Sequence, residues 1–491
     1  MPGVPIYATS AIRQIESLAA SASGAPTLME RAGLAAAERA RGLCGDTSRD
    51  VLVLAGPGNN GGDAFEVATH LRHGFHRVHL VFAGDRTALS RDAAAALGKW
   101  ESAGGKLLSE IPGGTRFALA IDGLFGIGLT RALGGAHAAL VEALNALGAP
   151  VLALDVPSGI NADTGAVMGA AVCASHTITF IAHKPGLLTL DGPDHCGELT
   201  LDTLGVDAAR LVTPEGMLAD AQALEAVRRT RPRNFHKGHA GSVGILGGAT
   251  GMVGAAFLAG HAALKCGAGR AYIGLLTTDA PPLDPAHPEL MLRTAKDLLE
   301  SGLVNVLAVG PGMGKSDSAK KALQSALEAE VPVVLDADAL NLIAEVESLT
   351  AAVLERDAPT LMTPHPAEAA RLLDEETSQV QADRVTSAKM IAQRYQAMVV
   401  LKGNGSVVAA PNGKWWINPT GNPGMASAGM GDVLTGIVAA LIAQGTQPVQ
   451  ALLAGVYLHG AAADELARRG IGPIGMSASE VIDAARALLN H

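Results

Sequence analysis

The segment 421–436, GNPGMASAGMGDVLTG, combines several glycines, one carboxylate and the start of an apolar stretch. The glycines let the backbone approach a ligand closely, because no Cβ stands in the way. A helix that begins after such a loop presents unpaired N–H groups and the positive end of its dipole, which suit a phosphate. The same field favours an ionised Asp432, which can then accept a proton. The segment therefore predicts a phosphate-binding loop with an aspartate base.

A second interpretation is that Asp432 only caps the helix, a role that aspartate fills well. The number of glycines argues for the ligand site, since a cap needs one flexible residue and this loop has four: Gly421, Gly424, Gly429 and Gly431. The loop resembles the GxGD anion-hole element of the ribokinase-like superfamily. It is more closely similar to the loop of NAD(P)H-hydrate dehydratases, although Met430 stands where that family more often has a small residue.

Three strand ends in the first half also carry polar residues. The loop GPGNNGGD (56–63) follows a strand at Val51 to Leu54 and precedes a helix from about Ala64, an arrangement that holds a pyrophosphate in doubly wound sheets. Its asparagines and Asp63 offer oxygens suited to a hard cation beside a phosphate. Asp122 and Asp155 end the third and fourth predicted strands of this half. Because ligands bind at the carboxyl ends of such strands, we expect one pocket.

Four motifs of this half resemble the NAD(P)H-hydrate epimerase domain over about residues 5–215: GPGNNGGD, DGLFGIGLTR, LDVPSGINADTG and TFIAHKPGLL. The resemblance implies that Asp155 contacts the hydrated nicotinamide ring and exchanges a proton with it. It implies a potassium site at Asn60, Asp122 and Ser158. The implied lining of the substrate phosphates consists of Asn59, Asn60, Gly61, Gly62, Asp63, Gly126, Ile127, Gly128, Leu129, Thr130, Arg131 and Ala132. Lys184 in HKPG is a further candidate for ring or phosphate contact, and an ordinary strand-end lysine explains it equally well.

The second half repeats strands that end in ligand-competent residues, a rhythm typical of α/β folds. Six motifs of this half resemble the NAD(P)H-hydrate dehydratase domain over about residues 225–490: HKGHAGSVGILGG, GPGMG, DADALN, TPHPAEAARL, LKGNGS and GNPGMASAGMGD. The likeness implies a hydrated dinucleotide between Ala255, Gly314, His365 and Asp432. It implies an adenine nucleotide at Lys402, Gly403, Asn404, Gly405, Ser406 and Gly431. A purely structural role for His365 is as well supported as a functional one.

These residues must be positioned by more than one core, because 491 residues exceed what one ordinary domain holds. Only 3% of the residues are aromatic while 59 are glycine, which favours an α/β fold over a β-sandwich. The sequence becomes polar and irregular at about residues 213–233. We therefore predict an N-terminal Rossmann-like α/β/α sandwich at 1–220 and a C-terminal ribokinase-like α/β/α domain at 221–491.

A net charge of −10 argues against nucleic-acid or anionic-membrane partners, which basic surfaces bind. The four cysteines form no CxxC pair, so we expect buried free thiols in a reducing compartment. Neither a secretory signal nor a membrane span is evident, and a cytoplasmic protein is expected.

The two resemblances together imply repair of hydrated NADH and NADPH. The first domain would interconvert the R and S hydrates with K⁺, and the second would dehydrate the S hydrate with ADP or ATP and Mg²⁺. Likeness to the bacterial fusions favours ADP and a homo-oligomer. Two alternatives stay open from the residues: a small-molecule kinase whose Asp432 activates an alcohol toward ATP, and a first half that only binds or regulates.

Overall fold

The computed structural model describes residues 3–22, 24, 26–45, 48–228, 230–277 and 279–490. The chain divides into two compact units, Pro5–Glu215 and one built on Gly216–His491. The division lies five residues before the predicted boundary at 220/221. The reason is a short strand, Gly216–Leu218, whose residues pair in parallel with Trp415–Ile417 of the second unit.

The elements up to Glu215 alternate between strands and helices, as the sequence predicts for an α/β fold. The strands are β1 (Val4–Ile6), β2 (Asp50–Ala55), β3 (Arg77–Phe82), β4 (Leu107–Leu108), β5 (Phe117–Gly123), β6 (Val151–Leu154), β7 (His176–Phe180) and β8 (Glu198–Asp202). The helices are α1 (Thr9–Ala22), α2 (Leu28–Cys44), α3 (Asn59–His73), α4 (Arg91–Ser102), α5 (Gly135–Asn145), α6 (Gly192–Cys196) and α7 (Ala208–Leu211).

Seven of these strands form one parallel sheet in the order β4-β3-β2-β5-β6-β7-β8. Its central strands are buried on both faces, which is why they read as continuous apolar runs. Separate apolar clusters cover the two faces, one with helices α1 to α4 and the other with α5. The order places the ends of β2, β5 and β6 side by side, as the predicted pocket requires.

The second unit continues with strands β9 (Gly216–Leu218), β10 (Ser242–Gly247), β11 (Arg270–Leu275), β12 (Met291–Thr294), β13 (Val306–Val309), β14 (Val333–Leu335), β15 (Thr360–Met362), β16 (Met398–Leu401), β17 (Ser406–Ala409) and β18 (Trp415–Asn418). Its helices are α8 (Gln222–Glu225), α9 (Val253–Lys265), α10 (Ala295–Glu300), α11 (Asp317–Leu327), α12 (Asp338–Glu345), α13 (Glu347–Leu354), α14 (Pro366–Leu373), α15 (Thr377–Ala382), α16 (Arg384–Arg394), α17 (Met430–Ala443), α18 (Pro448–Arg468) and α19 (Ala478–Leu489).

The sheet of this unit runs in the order β9-β18-β17-β16-β15-β14-β13-β10-β11-β12. Pairing is parallel from β16 through β12, and β16 to β18 form an antiparallel meander. The segment LKGNGS therefore forms the turn of a hairpin between β16 and β17, with Leu401 opposite Val407. The ends of β14, β15 and β16 come together beside the start of helix α17.

Helix α17 is buried on nearly every side, as its apolar sequence predicts. It packs closely on α9, and Gly436 makes this possible: a Cβ there would lie 2.1 Å from the carbonyl oxygen of Ala259. This glycine serves close packing of helices rather than backbone flexibility.

All four cysteines are free thiols. Cys44, Cys196 and Cys266 are buried as expected. Cys173 is exposed, and it lies in a loop outside the helices and strands. Within the described part of the chain, every helix is too short or too polar to cross a bilayer.

Candidate active sites

In the first unit, Asp155 lies directly after β6 and adopts a left-handed backbone with φ of 64°. Lys184 is 1% exposed, and its ammonium lies 2.5 Å from Asp155 Oδ1. That ammonium also donates to Thr179 Oγ1 at 3.0 Å and to the carbonyl oxygen of Phe180 at 2.7 Å. Three acceptors thus surround the ammonium group. Lys184 is accordingly a buried partner of Asp155, and its contact with the ring or a phosphate stays a prediction.

A cavity of about 930 Å³ opens beside this pair. The predicted residues that line it are Asn59, Asn60, Asp63, Gly126, Ile127, Gly128, Leu129 and Asp155. Five residues predicted to line the phosphates lie outside this lining: Gly61, Gly62, Thr130, Arg131 and Ala132. The ends of three strands therefore share one pocket, and the five residues just named do not line it.

The prediction of a helix from about Ala64 was wrong, because α3 begins at Asn59. Most of the segment GPGNNGGD is thus the first turn of the helix. A Cβ at Gly61 would lie 1.9 Å from the carbonyl oxygen of Gly56, and one at Gly62 would lie 2.5 Å from Met29 Cε. These two glycines are required because the helix start packs tightly against β2 and α2.

The predicted potassium ligands differ in how they are bonded. Asp122 is fully buried, and it accepts from Ser158 N at 2.8 Å, from Ser158 Oγ at 2.6 Å and from Leu124 N at 3.2 Å. Burial nevertheless raises the pKa of Asp122. Both polar atoms of the Asn60 side chain are buried without a partner among the described residues. A cation with oxygen ligands fits this set, since it would satisfy Asn60 Oδ1 and offset the buried charge of Asp122.

Glu16 is a site residue that the sequence interpretation missed. It projects from α1 into the cavity with Arg13, and its carboxyl has no hydrogen bond or ion pair among the described residues. Burial, and then the charge of Asp155, raises the pKa of Glu16. Asp63 has its pKa raised by burial and by the charges of Asp155 and Glu16. The only sequence signal was an acidic residue on an otherwise amphipathic helix, which solvent exposure explains as well.

In the second unit, Asp432 lies in the first turn of α17 but does not cap it. The N-cap residue is Gly429, with φ of 88°, and Asp432 follows as the third helical residue. The expectation that the helix field keeps Asp432 fully ionised was also wrong. Burial and the nearby charge of Asp336 raise the pKa of Asp432 to about 7. At neutral pH this carboxyl is poised between accepting and holding a proton.

Lys402, predicted to contact a nucleotide, lies at the end of β16 in an ion pair with the buried Asp336, and its own side chain is partly exposed. Its ammonium is 2.7 Å from Asp336 Oδ1 and 4.0 Å from Glu368 Oε2. Asp336 Oδ2 accepts from Thr435 Oγ1 at 2.9 Å. A Cβ at Gly431 would lie 3.3 Å from both Asp336 Oδ2 and Lys402 Nζ. The ion pair therefore lies directly against the residue that precedes Asp432.

His365 is the N-cap of helix α14. Its Nδ1 accepts from the amides of Ala367 and Glu368 at 3.1 and 3.3 Å, and its Nε2 is 3.2 Å from Glu368 Oε1. Burial lowers the pKa of His365. The side chain is still 48% exposed, so the structural role leaves one face of the ring open to a ligand.

The remaining predicted residues surround the same end of the sheet. Gly314 N donates to Asp338 Oδ2 at 2.8 Å, and Ala255 lies in α9 with its Cβ near Gly312. Ser406 Oγ closes the hairpin turn by donating to the carbonyl oxygen of Gly403 at 3.0 Å. The charge of Asp338 also raises the pKa of Asp432, after burial and the charge of Asp336.

Two sequence families match this chain. Residues 243–486 match the family described as NAD(P)H-hydrate dehydratase, and residues 25–186 match the family described as YjeF-related protein N-terminus. The Bifunctional NAD(P)H-hydrate repair enzyme Nnr of Escherichia coli K12 is 41% identical over 94% of this chain and 89% of its own length. The protein of the same name from Coxiella burnetii is 38% identical over 99% of each chain.

A solved structure supports the fold of the second unit. The ribokinase-like superfamily protein of Enterococcus faecalis V583 superposes with a TM-score of 0.50 and 24% identity, covering 56% of this chain and 96% of its own. The predicted ribokinase-like fold is thereby confirmed.

Proposed function

The chain belongs to the family of bifunctional NAD(P)H-hydrate repair enzymes, and from this premise we propose how its two sites divide the work. It is an isomerase in its N-terminal unit and a lyase in its C-terminal unit: the first interconverts NAD(P)H hydrates and the second dehydrates them. The observation that carries the proposal is a pair of separate strand-end sites, each with one aspartate at its centre: Asp155 and Asp432.

In the first site, Asp155 Oδ accepts the proton of the ring hydroxyl while the bond between that carbon and the ring nitrogen breaks. The bonding pair moves to the nitrogen, which takes a proton from Glu16, and the carbon becomes a carbonyl. Rotation and the reverse steps close the ring with the hydroxyl on the other face. Support comes from the asymmetry of the cavity. Lys184 stabilises charge on Asp155, whereas the Glu16 carboxyl has no hydrogen bond or ion pair within the described part of the chain and its pKa is raised. The raised pKa of Glu16 favours its role as the proton donor, and Asp155 is left to accept the proton.

Potassium bound by Asn60, Asp122 and Ser158 would organise the loop that holds the substrate phosphates. The unpartnered side chain of Asn60 and the buried charge of Asp122 support this. The side chains of Asn59 and Asp63 and the backbone of 126–129 would line the dinucleotide within the cavity.

In the second site, Asp432 takes the hydroxyl proton of the S hydrate as that oxygen bonds to the terminal phosphorus of ADP or ATP. The nucleotide leaves with the electrons of the broken P–O bond. The phosphorylated oxygen then departs as phosphate, pushed by the ring nitrogen, and loss of a ring proton restores the double bond. The amides of residues 429–431 at the start of α17 would stabilise phosphate charge, and Mg²⁺ would accompany the nucleotide.

We further propose that ADP is the preferred nucleotide, that the protein is cytoplasmic and that it forms a homo-oligomer, as its likeness to bacterial fusions suggests. A kinase acting on an unrelated alcohol is the competing function for the second unit alone. Purified protein incubated with hydrated NADH and either nucleotide should restore absorbance of the reduced ring, with both epimers consumed. Phosphorylation of vitamin-precursor alcohols without this recovery would contradict the proposal.

A further inference from the structure

The second unit contains a charged pair beside its proposed base, formed by the buried Asp336 and the partly exposed Lys402. Asp336, at the end of β14, is 1% exposed, and both of its carboxylate oxygens are bonded, one to Lys402 and one to Thr435. Thr435 lies on α17 three residues after Asp432 and therefore on the same side of the helix. Three secondary-structure elements, β14, β16 and α17, therefore meet in this one contact.

Only backbone separates this pair from the segment that carries the base. The space beside Gly431 is bounded by Asp336 Oδ2 and by Lys402 Nζ, each 3.3 Å from the position that a Cβ would take. Charges in such a buried setting act strongly on each other, because little water screens them. The charge state of Asp432 must therefore respond to both members of the pair.

Lys402 is poorly arranged as a simple phosphate ligand. Its ammonium lies against Asp336 and within 4.0 Å of Glu368, so a phosphate would have to compete with two carboxylates for it. Pairing with two carboxylates, one of them fully buried, directs the charge of Lys402 towards groups of the protein itself.

We propose that Asp336 and Lys402 are positioning residues that set, by opposing electrostatic effects, the pH at which Asp432 becomes a base. The inference rests on the proposed role of Asp432 in dehydration. Asp336 disfavours the ionised form of Asp432 through repulsion, Lys402 favours it through attraction, and Thr435 fixes Asp336 to the same helix.

The effects on Asp432 follow this geometry. Burial raises the pKa of Asp432 most, the charge of Asp336 raises it further, and the charge of Lys402 lowers it. Three other groups face the same region. Asp338 on α12 raises the pKa of Asp432, and Glu368 on α14 lies beside Lys402. On α18, burial and the charge of Lys402 lower the pKa of His459 to about 4. His459 is therefore neutral throughout the range in which Asp432 titrates.

The test compares the pH dependence of kcat/KM for dehydration of hydrated NADH, at fixed nucleotide concentration, in four variants. In the unaltered protein the acid limb should lie near pH 7. Asp336→Asn should move it down by roughly one to two pH units, because a repelling charge is removed. Lys402→Met should move it up by a similar amount, whereas Lys402→Arg, which keeps the charge, should leave it near its original position.

Asp483→Asn is the matched control, since it removes a carboxylate from the surface ion pair with Lys265 in the same unit. Its acid limb should stay in place. At pH 6 the unaltered protein should retain about a tenth of its own plateau, and Asp336→Asn at least about half. If the plateau value of kcat/KM falls in the variants while the pH of every acid limb stays the same, the inference is overturned and the pair has a structural role only.

Failure of this inference is distinguishable from failure of the proposed function. If Asp432→Asn removes dehydration but the limbs do not move in the other variants, only the inference on the pair is wrong. If Asp432→Asn dehydrates normally, the assignment of the base is wrong. Should Asp336→Asn not fold, the opposite behaviour of Lys402→Met and Lys402→Arg still decides the question.

Discussion

The ammonium of Lys184 lies 2.5 Å from Asp155 Oδ1, and neither the lysine nor its other two acceptors is on the same strand as the aspartate. Lys184 comes after β7, while Asp155 comes after β6. Because these strands are parallel neighbours, the pair joins two strand ends at the floor of the cavity. A change at either residue should affect epimerisation specifically.

Asp155→Asn should lower the rate of epimerisation by roughly a hundredfold or more, since the amide cannot accept the hydroxyl proton. Lys184→Met should also lower it, because Asp155 loses the cation that stabilises its charge. The rate is measured by chromatographic separation of the two hydrates. Asp50→Asn, at the opposite end of the sheet next to His79, is the control and should epimerise normally. Normal turnover by Asp155→Asn would exclude it as the base.

Glu16→Gln should slow epimerisation by roughly a hundredfold if this carboxyl donates a proton. In the unaltered protein the protonated form acts, so the rate should fall as pH rises through the raised pKa of Glu16. In Glu16→Gln, the pH profile of the epimerisation rate should lack this fall at high pH, its basic limb. A basic limb that persists in Glu16→Gln would assign the proton to another group.

Asn60→Ala should remove the dependence of epimerisation on potassium, because the unpartnered oxygen that suits the cation is lost. Rates are compared in potassium, sodium and choline chlorides at constant ionic strength. Dehydration by the same protein serves as the internal control and should not change. Undiminished stimulation by potassium in Asn60→Ala would contradict the proposed site.

Asp432→Asn should reduce dehydration by roughly a hundredfold or more while epimerisation continues. The amide resembles the carboxyl in shape but cannot accept the proton of the substrate. Recovery of reduced-ring absorbance measures the loss, and interconversion of the hydrates shows that the protein is folded. Equal loss of both activities would indicate a structural effect instead.

Gly436→Ala should destabilise the second unit by roughly 1–3 kcal/mol, because its Cβ would press on the carbonyl of Ala259. Gly254→Ala, near the start of α9, is the matched control: its Cβ would meet nothing within 4 Å, and it should be neutral or stabilising by up to about 1 kcal/mol. Denaturant unfolding followed by circular dichroism measures both. Equal stability of the two variants would contradict the packing role of Gly436.

Patterns that repeat along the chain made much of the fold predictable. The strand predicted at Val51 to Leu54 is observed at Asp50–Ala55. Apolar runs and glycine positions contain this information directly. The beginning of α3 was misplaced because glycines that serve close packing look the same in sequence as glycines that serve a flexible loop.

The electrostatics of the sites could not be predicted in the same way. The raised pKa of Asp432 depends on Asp336, about a hundred residues earlier, and on burial by helices that the local sequence does not reveal. Glu16 enters the cavity only because Ile12 and Ile15 of α1 join the apolar cluster on one face of the sheet. Residues that act through distant partners are visible only once the chain is folded.

The close contact between α17 and α9 also limits how the second site can adapt to its ligands. A helix held backbone to backbone at Gly436 offers Asp432 a fixed anchor, so the carboxylate should not travel when a dinucleotide arrives. Adjustment then falls to the preceding stretch, where Gly421 and Gly429 have positive φ angles around the short turn Pro423–Met425. Substrates of different bulk would be accommodated by that turn, with the base held still.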